Sequence, residues 1–146
     1  MKPYYSEDGI TIFHGKAEDI VPQLPEKHFA VLVLDAPFSF SVDKTDDILA
    51  PFERYLTDQV IVLIQGLPGG MPSHPEFGHP HVRPLDGMRE ILARTGGIIL
   101  DPYMGTGTTL AAAKQLGREA VGIEIEEEWC KVAVERLHAV PFLVSA

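Results

Sequence analysis

Short runs of consecutive apolar residues, rather than strictly alternating ones, punctuate this chain. They predict five buried strands: Gly9–Phe13, Ala30–Asp35, Gln59–Gln65, Gly97–Asp101 and Ala120–Glu124. Runs rich in Val, Ile and Leu on successive positions suit strands covered on both faces. Between them the pattern changes to helical spacing, predicting helices at Glu18–Leu24, Asp46–Leu56, Leu85–Arg94, Thr108–Leu116 and Glu126–His138. Pro84 starts one helix and Gly117 follows the end of another. The last helix carries Glu126, Glu127 and Glu128 in its first turn and Arg136 and His138 in its last, complementing the helix macrodipole. Strand–helix alternation predicts an α/β fold, a doubly wound and mainly parallel sheet. Gly66–Arg83, with four prolines, four glycines and three histidines, reads as a loop. No internal repeat or long linker divides the chain, so a single domain over residues 1–146 is expected.

At 45% hydrophobic and 23% charged residues, the 146-residue chain has a globular composition. That excludes a disordered chain, a collagen-like repeat and a disulfide-stapled mini-protein. The single cysteine, Cys130, cannot form an internal bridge, and it falls inside a helix as a core residue rather than a nucleophile. No apolar run reaches membrane-span length and the first residues lack a signal-peptide core, so a cytoplasmic location is expected. Twelve Lys and Arg against twenty-one Asp and Glu leave a net charge of −9, which disfavours nucleic-acid binding because phosphate contact is driven by basic residues.

Three segments carry chemistry and favour a nucleotide-like ligand nonetheless. The first is Leu100-Asp101-Pro102-Tyr103-Met104-Gly105-Thr106-Gly107-Thr108-Thr109, a strand end, a Gly-x-Gly turn and a helix start. Glycines admit a ligand close to backbone, and a helix start offers free N–H groups. A dinucleotide fingerprint would need glycine where Leu110 stands, and no Gly-Lys-Ser/Thr phosphate loop exists. The second is Glu124, which ends the following strand where a carboxylate can accept from a ribose diol, or else simply sits exposed before a helix. The third is Asp35-Ala36-Pro37-Phe38 at the end of the second strand. Such a segment offers a carboxylate and a carbonyl to an amine and a ring to stack on its base, although Asp-x-Pro is also a common turn.

Together these segments resemble the β-class, circularly permuted amino-methyltransferases of DNA, which make N6-methyladenine or N4-methylcytosine. In that family Asp-Pro-Pro-Tyr precedes the cofactor motif, as Asp35–Phe38 precedes Asp101–Thr109 here. His79-Pro80-His81-Val82-Arg83-Pro84 is similar to the family's His-Pro-Thr-x-Lys-Pro, and Gly97 to Leu137 is similar to its cofactor region. The resemblance implies a Rossmann-like methyltransferase fold and S-adenosyl-L-methionine as cofactor. It also implies DNA as partner, and a sheet in which the five strands, lettered a to e along the chain, lie in the order a-e-d-b-c. By the same resemblance, Gly105, Thr106, Gly107 and Thr108 would cradle the methionine part of the cofactor beside Asp101 and Tyr103. His79, Arg83 and Pro84 would close over it. Glu124 would hold the ribose and Ile125 would pack on the adenine. Asp35 and the Ala36 carbonyl would bind the target amine, with Pro37 fixing the turn and Phe38 stacking on the base.

The chain departs from that pattern at three places. Ala36 replaces a proline, leaving its carbonyl less preorganised, while Phe38 in place of tyrosine keeps the stacking ring. His14-Gly15-Lys16-Ala17 replaces a Gly-Asp whose acid would meet the adenine amine; Glu18 or Asp19 is the local substitute. The interval from Phe38 to His79 is too short for a target-recognition region, so weak intrinsic specificity and a partner subunit or homo-oligomer are expected. The basic candidates near the crevice are Lys44, Arg54 and Arg83. These departures and the acidic charge keep two alternatives open: an impaired, methyltransferase-like binding or regulatory subunit, and a methyltransferase for a non-DNA substrate. His74, His79 and His81 match no common zinc spacing, so no metal is expected.

Overall fold

The structure, a computed structural model, describes residues 1–34, 45–63 and 85–141. Its strands are β1 (Tyr5–Glu7), β2 (Ile10–His14), β3 (Phe29–Leu34), β4 (Leu56–Leu63), β5 (Ile99–Asp101) and β6 (Ala120–Glu124). Its helices are α1 (Ala17–Ile20), α2 (Thr45–Leu49), α3 (Leu85–Ala93), α4 (Thr108–Gln115) and α5 (Glu127–Ala139), with 3-10 turns at Val21–Gln23 and Glu53–Tyr55. One six-stranded sheet runs in the order β1-β2-β6-β5-β3-β4. Among the described strands, only the β1–β2 pair is antiparallel. The five strands expected from the apolar runs are β2 to β6, and their observed order is the one the permuted family arrangement implies.

Both faces of the sheet are covered, as the consecutive apolar runs require. Val31 and Val33 of β3, Ile99 of β5 and Ile10 and Ile12 of β2 pack with Leu92, Leu110, Ala133 and Leu137 from α3, α4 and α5. Leu32 and Leu34, Leu100 and Ile123 point the other way, into a second cluster with Ala17, Ile20, Phe52 and Tyr55. Each fully buried side chain of this size contributes about 1.5–3 kcal/mol relative to exposure, so the two layers jointly hold the sheet.

Three elements differ from expectation. The helix expected at Glu18–Leu24 is the short α1, followed by the 3-10 turn Val21–Gln23, because Pro22 has no N–H to continue the α-helical ladder. The helix expected at Asp46–Leu56 stops at Leu49; a 3-10 turn follows, and Leu56 already belongs to β4, paired with Phe29. Pro51 is the cause, because the residue before proline is pushed out of helical backbone and proline cannot donate within a helix. The additional strand, β1, forms a hairpin with β2 through Asp8 and Gly9, whose φ angles are 55° and 78°. Positive φ at both central residues is what a tight two-residue hairpin needs, and Asp-Gly supplies it.

Ion pairs and caps fasten the layers. Arg118 Nη1 donates to Leu92 O (2.7 Å) and Thr95 O (3.2 Å), closing the carboxyl end of α3. Buried Lys114 in α4 donates to Leu137 O at 2.7 Å and pairs with Asp8 in the hairpin turn at 3.4 Å.

Cys130 is fully buried in α5, with Sγ 3.7 Å from Glu124 O. Burial first, then the nearby charges of Glu124 and Glu127, push its thiol from 9.0 up to about 12. The native thiol should therefore react with an aromatic disulfide reagent at pH 8 at least ~100-fold more slowly than the denatured chain. Because the folded thiol holds its proton more tightly, its contribution to stability is full below pH 9.0 and is lost as pH climbs towards about 12. Denaturant titrations of wild type and Cys130→Ala across that window would read the difference.

Candidate functional site

Parallel neighbours end together at one edge of the sheet. Leu32 of β3 is level with Leu100 of β5, and Asp101 is level with Gly122 of β6. Leu34 therefore leaves β3 beside the point where Asp101 leads into the glycine turn. In an open α/β sheet this carboxyl edge, where strand order reverses, is where ligands bind.

The turn is held from several sides. Asp101 is 2% exposed, and its Oδ1 accepts the Tyr103 N–H at 3.3 Å. Met104 N–H donates to Ile123 O (3.0 Å) and Gly107 N–H to Met104 O (3.0 Å). Gly122 has no Cβ, and one built there would lie 2.5 Å from Met104 Sδ and 2.7 Å from Leu110 Cδ1, so its absence lets the turn settle onto β6. Gly107, with φ 78°, is the residue preceding α4, and a Cβ on it would come 2.9 Å from the Ala133 Cβ of α5. The sequence thus needs glycine here both for backbone conformation and for close helix packing.

Glu124 clasps the turn. One carboxylate oxygen accepts the Gly105 N–H at 2.9 Å and the other accepts the Glu126 N–H at 2.9 Å, at the start of α5. Each oxygen retains further acceptor capacity, the chemistry a ribose diol needs. Beside it Ile125 is 52% exposed and Tyr103 is 47% exposed, two large apolar side chains at the same edge. Phe52 meets Tyr103 edge to face, with ring centroids 6.5 Å apart. Burial, then the Glu18 carboxylate, raises the Tyr103 phenol, so α1 contributes negative charge to this edge. His14 Nε2–H donates to Ile125 O at 3.0 Å, and Gly15 N–H to Glu124 O at 2.9 Å, joining the end of β2 to the same cluster.

The structure thus brings Asp101, Tyr103, Gly105, Thr106, Gly107, Thr108, Glu124 and Ile125 together. The buried hydroxyls of Thr106 and Thr108 face inward and accept from Arg136 of α5, at 3.4 and 2.8 Å. Arg136 was not among the residues expected at the site. Its signal was present, since it stands three positions from Ala133 and next to Leu137 on the buried stripe of α5. Arg54 is a correction: it pairs with Glu26, and its carbonyl accepts the Lys27 N–H, at the amino ends of β3 and β4 and opposite the crevice. Asp35, Ala36, Pro37 and Phe38, and His79, Arg83 and Pro84, lie outside the described residues, as do Lys44, His74 and His81.

Comparison with known proteins finds similarity over this part of the chain. A DNA methylase family model matches residues 65–135. Within 53 residues the chain is 53% identical to Type II methyltransferase M2.DpnII of Streptococcus pneumoniae, covering 35% of this chain and 20% of that protein. The chain spans about a fifth or less of the curated methyltransferases it matches. The fold is similar to the M1.HpyAVI–SAM complex, with a TM-score of 0.67 and 20% identity over 88% of this chain and 100% of that one. It is also similar to PvuII DNA methyltransferase (cytosine-N4-specific), with a TM-score of 0.63 and 10% identity over 93% and 89%. The matched segment contains the whole glycine turn, Glu124 and most of α5 through Glu135.

Gly107→Ala should cost at least about 2 kcal/mol, combining left-handed strain with the close Ala133 contact. Urea unfolding checks it: adding Ala133→Gly should restore the steric part, and a neutral single variant would deny the packing account.

Proposed function

We propose that this chain binds S-adenosyl-L-methionine at the carboxyl edge of the sheet and transfers its methyl to the exocyclic amine of a DNA base, adenine N6 or cytosine N4. The observation that carries the reading is the adjacency of β3 and β5, which sets Leu34, the residue before the sequence Asp35–Phe38, at the same edge as the glycine turn. The family match and the methyltransferase folds support it.

The residues present fit the cofactor. Glu124 has acceptor capacity for ribose hydroxyls, Ile125 offers an exposed apolar face to an adenine ring, and the Gly105–Thr108 turn admits the methionine part close to backbone. Asp101 and Tyr103 border that part, and His79, Arg83 and Pro84 are assigned to close over it. Glu18 is the nearby acid for the adenine amine, in place of the aspartate that Lys16 displaces. When bound, the cofactor supplies an electrophilic methyl on a sulfonium.

The chain's own contribution is to prepare the amine. An aromatic amine is a poor nucleophile because its lone pair is delocalised into the ring. Asp35 and the Ala36 carbonyl accept its two hydrogens and draw it towards tetrahedral geometry, while Phe38 stacks on the base. Orientation supplies much of the remaining rate, and no covalent enzyme intermediate is needed. The net charge of −9 gives the chain little overall attraction for phosphates, and the interval from Phe38 to His79 is short, so sequence-selective contact with DNA is assigned to a partner subunit or a second copy.

Calorimetry with S-adenosyl-L-methionine should show saturable binding that Glu124→Ala weakens at least ~10-fold, the worth of a charge-assisted hydrogen bond. Asp35→Ala should retain that binding and lose labelled-methyl transfer to unmethylated DNA by at least ~100-fold. No binding at millimolar ligand would remove the reading. Binding without transfer by the wild type would favour the regulatory-subunit alternative.

A further inference from the structure

We propose that Arg136 is a positioning residue for this site, holding the Gly105–Thr108 turn in the shape that receives the amino-acid end of the cofactor; this rests on the cofactor reading above. Arg136 lies in the last turn of α5 and is only 8% exposed. A guanidinium can only donate, so the Thr108 hydroxyl at 2.8 Å and the Thr106 hydroxyl at 3.4 Å accept from its Nη1. These two threonines flank Gly107, which like Gly105 is left-handed. One arginine nitrogen therefore grips the turn on both sides of that glycine. No side chain caps the start of α4, so this grip comes from beneath and not from a capping residue.

The energetics point the same way. Taking a guanidinium out of water is costly, and hydrogen bonds from a charged group to hydroxyls return part of that cost. An apolar side chain would fill the same space with less desolvation, so stability alone gives a weak reason for arginine here. Burial lowers the guanidinium's proton affinity, but an arginine keeps its charge. The turn it shapes is the part of the site assigned above to the cofactor's amino-acid end.

The test compares two ligands on the full chain by calorimetry: S-adenosyl-L-methionine, and 5′-methylthioadenosine, which keeps the nucleoside and sulfur but lacks the amino-acid end. Arg136→Met should weaken the first at least ~10-fold and the second less than ~2-fold, with Arg136→Lys between wild type and Met. Should Arg136→Met fail to fold, Thr108→Val provides the same selective loss by removing the nearer acceptor, and Thr108→Ser should restore wild-type affinity. Equal weakening of both ligands, or no weakening of either, overturns the proposal and leaves Arg136 a structural residue. Wild-type protein that binds neither ligand overturns the cofactor reading itself; wild-type binding with unselective variants overturns only the role of Arg136.

Discussion

One carboxylate, that of Glu124, makes a site out of two separate turns. By accepting Gly105 N–H with one oxygen and Glu126 N–H with the other, it fixes the glycine turn after β5 to the start of α5 after β6. Hydrogen bonds from backbone N–H to an ionised carboxylate are roughly twice as strong as neutral ones, so this is a firm joint for an exposed edge. Met104 N–H to Ile123 O and Gly15 N–H to Glu124 O extend the joint to β6 and β2. A Gly-x-Gly turn is otherwise the most deformable backbone a sheet can present. Here its freedom is used for close approach, and its shape is set by its neighbours.

The acidic charge of the chain reads differently once its cations are located. Arg118 closes the end of α3, Lys114 joins α4 to α5 and the hairpin, Arg136 lies beneath the glycine turn, and Arg54 pairs with Glu26 away from the crevice. Lys114 and Arg136 are buried in these duties and do not face a polyanion. The proposed capture of a base consequently leans on stacking and on acceptors directed at one amine. Long-range attraction to a polyanion contributes little, and a partner becomes physically useful.

Much of this architecture was legible because parallel strands such as β3 and β5 are buried on both faces and so appear as unbroken apolar runs. β2 to β6 were all read from apolar runs. The strand order came from resemblance, since periodicity alone cannot rank strands within a sheet. β1 escaped because Tyr5-Ser6-Glu7 lies at the edge and needs no apolar run; the Asp8-Gly9 pair after it was the usable signal. The helix over Asp46–Leu56 was overextended because apolar spacing outweighed Pro51. In the site, glycine, acid and strand-end position together made Asp101, Gly105, Gly107 and Glu124 readable. Arg136 was read against the helix dipole, which explains a basic residue at a helix end but says nothing about which face it occupies. The Asp35–Phe38 segment is legible in the sequence alone, since it lies outside the described residues.

The permuted arrangement also explains why the far corner of the molecule matters to the crevice. α5 and β2 lie side by side yet stand at opposite ends of the chain, so the join that adjacent elements usually receive from a short loop must come from side chains. His138 reaches Glu7 at 3.5 Å and meets the Tyr5 ring edge to face at 5.8 Å. Lys114 spans from Asp8 in the hairpin turn to Leu137 O. Exposed pairs such as His138–Glu7 contribute at most about 1 kcal/mol, whereas the buried Lys114 bond to a main-chain carbonyl is harder to replace with water. These contacts seat the last turn of α5, the turn that carries Arg136. Because Arg136 in turn grips Thr106 and Thr108, the edge hairpin and the glycine turn share one packed path through α5, with each link a side chain whose partner is fixed by the fold.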